Sequence, residues 1–368
     1  MQMTDNSLER ALPSEDLEFR KLQLLGRSSI AVTLPKKWIQ LLGLKPGDVV
    51  IVRRQGTSII IEPYSASSEQ QLNVHEVKLS SDKLWRCLRK IVGLYLSGAG
   101  MVTIHFTPDA VNLKHIVKSF LREKLPGAEI VDEKYDQLVV RFLTNLEELP
   151  IRKILKRMSS IAIGILRDGL KLLTNSNNKE GKDYQEDKEQ DITLRDEEID
   201  RLYLLLYRLV NQGILNQRLL TRLDAEDPRE LVAALMVAKS IERCGDHATR
   251  VAYFAKALST MTMFREVKDD TIEKLVKLGN STCSILKEAT QSFIDKDVEK
   301  AQSILERRLE IRKISIQLVD TVMRRACPLS MVCANEMMTY VVLMIESIRR
   351  FLAYSYDIAE ITVDTYSR

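Results

Sequence analysis

From Gly213 to Arg368 the chain holds two further glycines, Gly245 and Gly279, and two prolines, Pro228 and Pro328. Glycine and proline are the residues that interrupt helices, so a run this long with so few of them leaves room for little but long helices. Both prolines stand where a helix would begin. Helices are expected at 150–173, 193–222 and 228–262, then at 266–294, 296–325 and 328–366. Pro228 and Pro328 take equivalent places in the two sets of three, which predicts tandem three-helix bundles over 150–262 and 266–368. The polar stretch 174–191 has almost no apolar residues and reads as a loop between the first two helices.

The first 145 residues follow a different pattern. Within 19–64, short strands are expected at 21–24, 30–34, 49–53 and 58–62, with turns at 26–29, 45–48 and 55–57 and one or two helical turns after Pro35. This segment carries eight basic residues (Arg20, Lys21, Arg27, Lys36, Lys37, Lys45, Arg53, Arg54) against Asp48 and Glu62, a net +6 where the whole chain is only +4. So small a unit cannot bury much core alone. From 74 to 145 helices (82–96, 109–123) alternate with strands (101–106, 129–131, 137–142), an α/β insert without an evident catalytic grouping; His105 and His115 read there as ordinary strand and helix residues. The fold class expected is therefore multidomain and mainly α: a small N-terminal β unit, the α/β insert, and the two bundles.

Composition restricts the function classes. Apolar residues make up 45%, charged residues 29% and aromatics only 6%, a balance suited to amphipathic helices. No apolar run is long enough to span a bilayer and residues 1–14 lack a signal-peptide core, so a cytoplasmic location is expected, without an integral membrane segment. The cysteines Cys87, Cys244, Cys283, Cys327 and Cys333 are odd in number and widely spaced, as free buried thiols would be.

Two acidic couples carry the chemical interest. Glu242 and Asp246 lie four apart beside the apolar stripe of the helix from Pro228, and Asp196 and Asp200 lie four apart in the preceding helix. Facing each other in an antiparallel pair, they would offer oxygen ligands suited to a hard cation. On spacing alone, a solvated acidic face offset by Arg195, Arg201 and Arg243 is the favoured account of them.

The segment IERCGDHATRVA (241–252) resembles the signature of the PhoU family of phosphate-signalling regulators. LGRSSIAVTLPKKW with LGLKPGDVV (25–50) is similar to the AbrB/SpoVT-like swapped-hairpin DNA-binding module, and the α/β insert is similar to those of archaeal-type PhoU proteins. The first resemblance implies that Asp196, Asp200, Glu242 and Asp246 hold metal, iron above all, with zinc, manganese or magnesium as alternatives; His247 would stand behind the ligands. In the second bundle ILERRLEIRK (304–313) aligns Glu306 and Glu310 with the first couple. Opposite them, IESIRRFLAYSYDIAE (345–360) sets either Arg349 and Ala353, or Glu346 and Arg350, at the positions of Glu242 and Asp246. One acidic couple is thus broken, which implies a lost metal site, with Arg349 or Arg350 paired internally to Glu306 or Glu310.

The AbrB-like resemblance implies a homodimer interleaved through 19–64 and DNA contact by Arg20, Lys21, Arg27, Ser28, Lys36 and Lys37, Arg27 and Ser28 being placed for base contact and the lysines for phosphates. A dimerisation module with a solvated basic face is the plainer reading of the same residues. Three functions stay open: a DNA-binding regulator of phosphate uptake genes, an adaptor acting on a phosphate transporter ATPase or a sensor kinase without DNA, and a two-metal phosphatase. The last lacks a recognisable general acid and phosphate cradle, so a non-enzymatic role is expected.

Overall fold

The computed structural model describes residues 17–55, 57–64, 73–143, 150–174, 182–261, 269–309 and 331–367, with 313, 316, 317 and 320 singly. Residues 1–14, Gly56, Glu310, Cys327 and Pro328, named above, lie outside these, as do the side chains of Arg53 and Cys333. The chain divides into two compact units, 1–71 and 72–368, and each is described by itself.

The first unit contains β1 (Gln23–Leu25), β2 (Ser29–Ala31), α1 (Lys36–Leu41), β3 (Val50–Gln55) and β4 (Ser58–Pro63). β1 and β2 form one antiparallel hairpin and β3 and β4 another. Gly26 takes φ +71° directly after β1, a conformation that costs glycine little, and the turn it starts leaves Arg27 and Ser28 at the hairpin tip. Pro35 is the one buried residue among those described in this unit. Leu24 and Ile59 are each 73% exposed, and Phe19, Ile30, Leu41 and Val52 are exposed as well. Two-stranded hairpins with their apolar side chains in water are marginal at best.

The second unit opens with β5 (Val74–Leu79), α2 (Leu84–Leu96), β6 (Met101–Phe106), α3 (Lys114–Lys124), β7 (Ala128–Lys134) and β8 (Gln137–Phe142). The sheet order is β5-β6-β8-β7, with β5 parallel to β6 and the other pairs antiparallel. Period-two alternation buries Val102, Ile104 and Phe106 beside Leu138, Val140 and Phe142, and the i, i+4 spacing of Cys87, Ile91 and Tyr95 turns α2 onto that core. Strand β5, not expected from the sequence, buries Val77 and Leu79.

The helices follow: α4 (Ile151–Thr174), α5 (Lys182–Leu215), α6 (Gln217–Arg222), α7 (Pro228–Thr260), α8 (Asp269–Asp295), α9 (Val298–Glu306) and α10 (Met331–Tyr366). Pro228 occupies the first turn of α7, where its missing N–H is not needed, and the Asp227 carboxylate accepts from Arg229 N at 2.8 Å as cap. α5 corrects the expectation of a loop at 174–191: helix runs on from Lys182, because Glu, Lys and Gln are strong helix formers even without an apolar face. It also ends earlier, at Leu215, and Asn216 starts α6, its side-chain oxygen accepting from Leu219 N at 3.3 Å.

α4, α5 and α7 pack together, as do α8, α9 and α10. α7 lies along α10 and α4 along α8, so both sets share one continuous apolar core. The insert is fastened to α5. The buried Arg208 donates to the carbonyls of Tyr95 and Ala99, the latter at 2.9 Å, while Asn211 Nδ2 donates to Leu96 O at 2.9 Å. The bonds to Tyr95 and Leu96 cap C-terminal carbonyls of α2, where a cation also suits the helix dipole, and the bond to Ala99 holds the turn that follows. Among the described residues no helix is long and apolar enough to cross a membrane.

Candidate metal centre and nucleic-acid interface

Asp196 and Asp200 project from α5 and Glu242 and Asp246 from α7, all four partly shielded from solvent. Gly245 permits the approach. A Cβ built there would fall 2.8 Å from Ile199 Cδ1 and 3.2 Å from Asp196 Oδ1, so hydrogen alone lets α5 press this acid against α7. Burial, followed by the charges of Asp200 and Asp246, raises the Asp196 carboxyl to about 6, with Glu242 adding to the push. Asp200 is raised too, by burial first and then by Glu242. The four expected residues therefore converge into one field of negative charge.

Cations answer part of that field. Lys239 Nζ lies 2.6 Å from Glu242 Oε1, Arg243 Nη1 lies 3.4 Å from Asp246 Oδ2, and Lys124 of the insert reaches Glu197 at 3.3 Å while lowering Asp200. Arg195 does not serve as expected: it binds Asp168 at 2.9 Å and Asp191 at 2.6 Å. Thr249 stands beside Asp196 and favours its charged form without the geometry of a full hydrogen bond.

The donor set suits a hard cation: oxygens only, four like-charged side chains, and a buried Glu242 Oε2 that has no hydrogen-bond partner among the described residues, with Arg243 Nε 3.8 Å away. As the side chains stand, no three His, Cys, Asp or Glu among the described residues are gathered closely enough to share one ion. In this arrangement Lys239 and Arg243 of α7 hold Glu242 and Asp246 in ion pairs. His247 turns elsewhere, stacking on Tyr354 of α10 with ring centres 5.9 Å apart. Its Nδ1 is buried without a partner, and burial, then Arg250, lowers its pKa.

In the second bundle, Arg349 and Arg350 both bind Glu346 of their own helix, at 3.1 Å each. That replaces the expected pairing with Glu306, since a partner three or four residues away costs less ordering than one across the bundle. Sequence reading missed Gly245, Thr249, Lys239 and Lys124. Lys239 was legible as an i, i+3 partner of Glu242; contact by Lys124 depends on how the insert docks.

In the N-terminal unit Arg27 and Ser28 occupy the β1–β2 turn, Arg20 and Lys21 precede β1, and Lys36 and Lys37 form the first turn of α1; all six are exposed. Arg20 is engaged by Glu18.

Comparison with known proteins gives the following. The PhoU domain model matches the chain twice, at residues 155–255 and 275–362, together half of the chain. A second model, described as antidote-toxin recognition MazE, bacterial antitoxin, matches residues 23–69. A phosphate-specific transport system accessory protein PhoU homolog from Clostridium acetobutylicum is 26% identical over 83 residues, which are 23% of this chain and 36% of that protein. The match thus spans little more than a third of the relative's length. The crystal structure of PhoU from Pseudomonas aeruginosa aligns with 60% of this chain and 97% of that one at 17% identity and a TM-score of 0.47.

Proposed function

The chain belongs to the PhoU family, and from that premise we propose that it is a phosphate-signalling regulator that dimerises through residues 19–64 and binds DNA with them. One observation carries this reading. The N-terminal unit leaves its apolar side chains in water and its strands in isolated pairs while holding a surplus of cationic residues at its turn and helix start. A second copy of this chain, interleaved strand by strand, would cover both the apolar faces and the open edges. The MazE-type match over the overlapping residues 23–69 supports that pairing and a role in DNA recognition. In this reading Arg27 and Ser28 at the turn reach base edges, and Arg20, Lys21, Lys36 and Lys37 neutralise phosphates.

The helical unit would carry the signal. Asp196, Asp200, Glu242 and Asp246 would hold a hard cation, iron first and zinc, manganese or magnesium otherwise. Such an ion supplies positive charge that relieves four crowded carboxylates and pins α5 to α7. Without it, this chain's own Lys239 and Arg243 hold Glu242 and Asp246. Because Lys124 and Arg208 tie the insert to α5, a shift of α5 on α7 moves the insert as well.

The test is metal content by elemental analysis on the purified dimer, beside DNA binding. One centre per chain, lost with Glu242→Ala, is expected; two equivalent centres per chain, or none under any metal, would contradict the assignment. The transport-system name of the clostridial relative favours a second reading, an adaptor on a phosphate transporter ATPase or its sensor kinase. In that case the dimer forms but DNA is ignored.

A further inference from the structure

The positions in the second bundle that answer to Glu242 and Asp246 bring in an arginine whichever way the helices are aligned. Arg349 and Ala353 stand there in one register, Glu346 and Arg350 in the other. All four line a single cavity of about 280 Å³, with Arg308, Leu352 and Tyr356 completing its wall. Among the described residues, three arginines and one acid, Glu346, therefore line this space.

We propose that this cavity is a binding site for a phosphate-type oxyanion, in which Arg308, Arg349 and Arg350 replace the acidic set of the first bundle. The donor supply points that way. Glu346 is shared between Arg349 Nη1 and Arg350 Nε at 3.1 Å each, and Arg308 Nη1 lies 2.6 Å from Glu360 with the Asp357 charge nearby, so each guanidinium is balanced but not saturated. Each guanidinium has five N–H donors in a fixed fork, and these ion pairs engage only part of them. The forks suit phosphate oxygens, which accept paired hydrogen bonds, better than they suit a spherical halide. Arg308 is held over the Tyr356 ring, 5.7 Å from its centre, so one edge of the site is fixed by packing.

The cavity exceeds a single tetrahedral ion and falls just below the range of roughly 300–1,000 Å³ usual for small-molecule pockets. Leu352 and Tyr356 give it an apolar wall. Inorganic phosphate and the phosphoryl group of a small ester or pyrophosphate share the chemistry these residues recognise. The site also has a path to the carboxylate centre. Tyr354, one turn beyond Arg350 on α10, stacks on His247, the residue next to Asp246 on α7. The proposal extends the phosphate-signalling reading but stands on the cavity alone.

The experiment is isothermal titration of the full-length protein with inorganic phosphate, pyrophosphate and AMP, with sodium chloride at matched ionic strength as the control. One saturable site per chain is expected. Preference for phosphate identifies the free ion and preference for pyrophosphate or AMP a phosphorylated ligand, and either supports the proposal. The double variant Arg349→Lys/Arg350→Lys keeps charge and packing but loses the forks, and should bind at least ~10-fold more weakly with an unchanged circular dichroism spectrum. Arg27→Ala should bind the anion as the wild type does, which keeps the cationic N-terminal unit out of the result and separates failure here from failure of the DNA reading. Heat no larger than that of chloride, undiminished affinity in the lysine variant, or loss of binding in Arg27→Ala would overturn the proposal.

Discussion

Replacing Gly245 by alanine would test the contact that builds the carboxylate centre. The added methyl would sit 2.8 Å from Ile199 Cδ1 and 3.2 Å from Asp196 Oδ1, where carbon atoms prefer roughly 3.5–4.0 Å. Ile199 is fully buried, so either its terminal methyl turns into occupied space or α5 withdraws by several tenths of an ångström. Overpacking of this kind costs about 1–3 kcal/mol, while alanine in a helix interior recovers about 1 kcal/mol over glycine. The net expected change is a loss of about 0–2 kcal/mol. Gly93→Ala is the control, because nothing lies within 4 Å of its added Cβ on α2, and it should stabilise by about 0.5–1 kcal/mol. Gly93→Ala should therefore raise Tm and Gly245→Ala should not. Displacing Asp196, a ligand in the proposed centre, should also weaken metal binding by about 10–100-fold in Gly245→Ala and leave it unchanged in Gly93→Ala. Paired melting curves and metal titrations decide the matter. A Gly245→Ala protein as stabilised as the control, with wild-type metal affinity, would refute the close approach of α5 and α7.

Other outcomes follow from the same structure. Asp196 has its pKa raised to about 6 in the folded chain, so the folded state binds this proton more tightly than the unfolded one. The associated stability is complete below the unfolded value near 3.8 and is lost as pH rises through about 6. Chelator-treated wild type should thus gain Tm relative to Asp196→Asn between pH 7 and pH 5; parallel pH profiles would remove the argument. Arg208→Leu strips the donors from the Tyr95 and Ala99 carbonyls and should cost about 2–4 kcal/mol, read in chemical denaturation. Val52→Asp puts a charge on an apolar face assigned to the partner copy and should raise the dimer dissociation constant by at least ~100-fold in analytical ultracentrifugation.

How far this could be read in advance differs between levels. Long helices follow from the scarcity of glycine and proline after Gly213, and the Asp227–Pro228 start of α7 is a local signal with a local cause. β5 went unseen because His75, Glu76 and Lys78 make its alternation look like part of the preceding polar run. The early start of α5 was hidden by the same polar bias, since propensity rather than burial sustains that end of the helix. At the carboxylate centre, the i, i+4 spacing marks the four acids. Their surroundings depend on packing between distant segments: Lys124 arrives with the insert, Gly245 matters only because Ile199 faces it, and Arg195 is drawn to Asp168 on α4. The arginines of the second bundle were visible as a departure from the acidic pattern, and the cavity they line was not.

The most direct measurement of the central claim is binding of the full-length protein to DNA from upstream of phosphate-transport genes, against scrambled DNA, over a salt series with Arg27→Ala alongside. The account predicts sequence-selective binding by a dimer, with an affinity that falls steeply with salt and is weakened by Arg27→Ala. No binding, or binding indifferent to sequence and to Arg27, would contradict it and leave residues 19–64 as a dimerisation device.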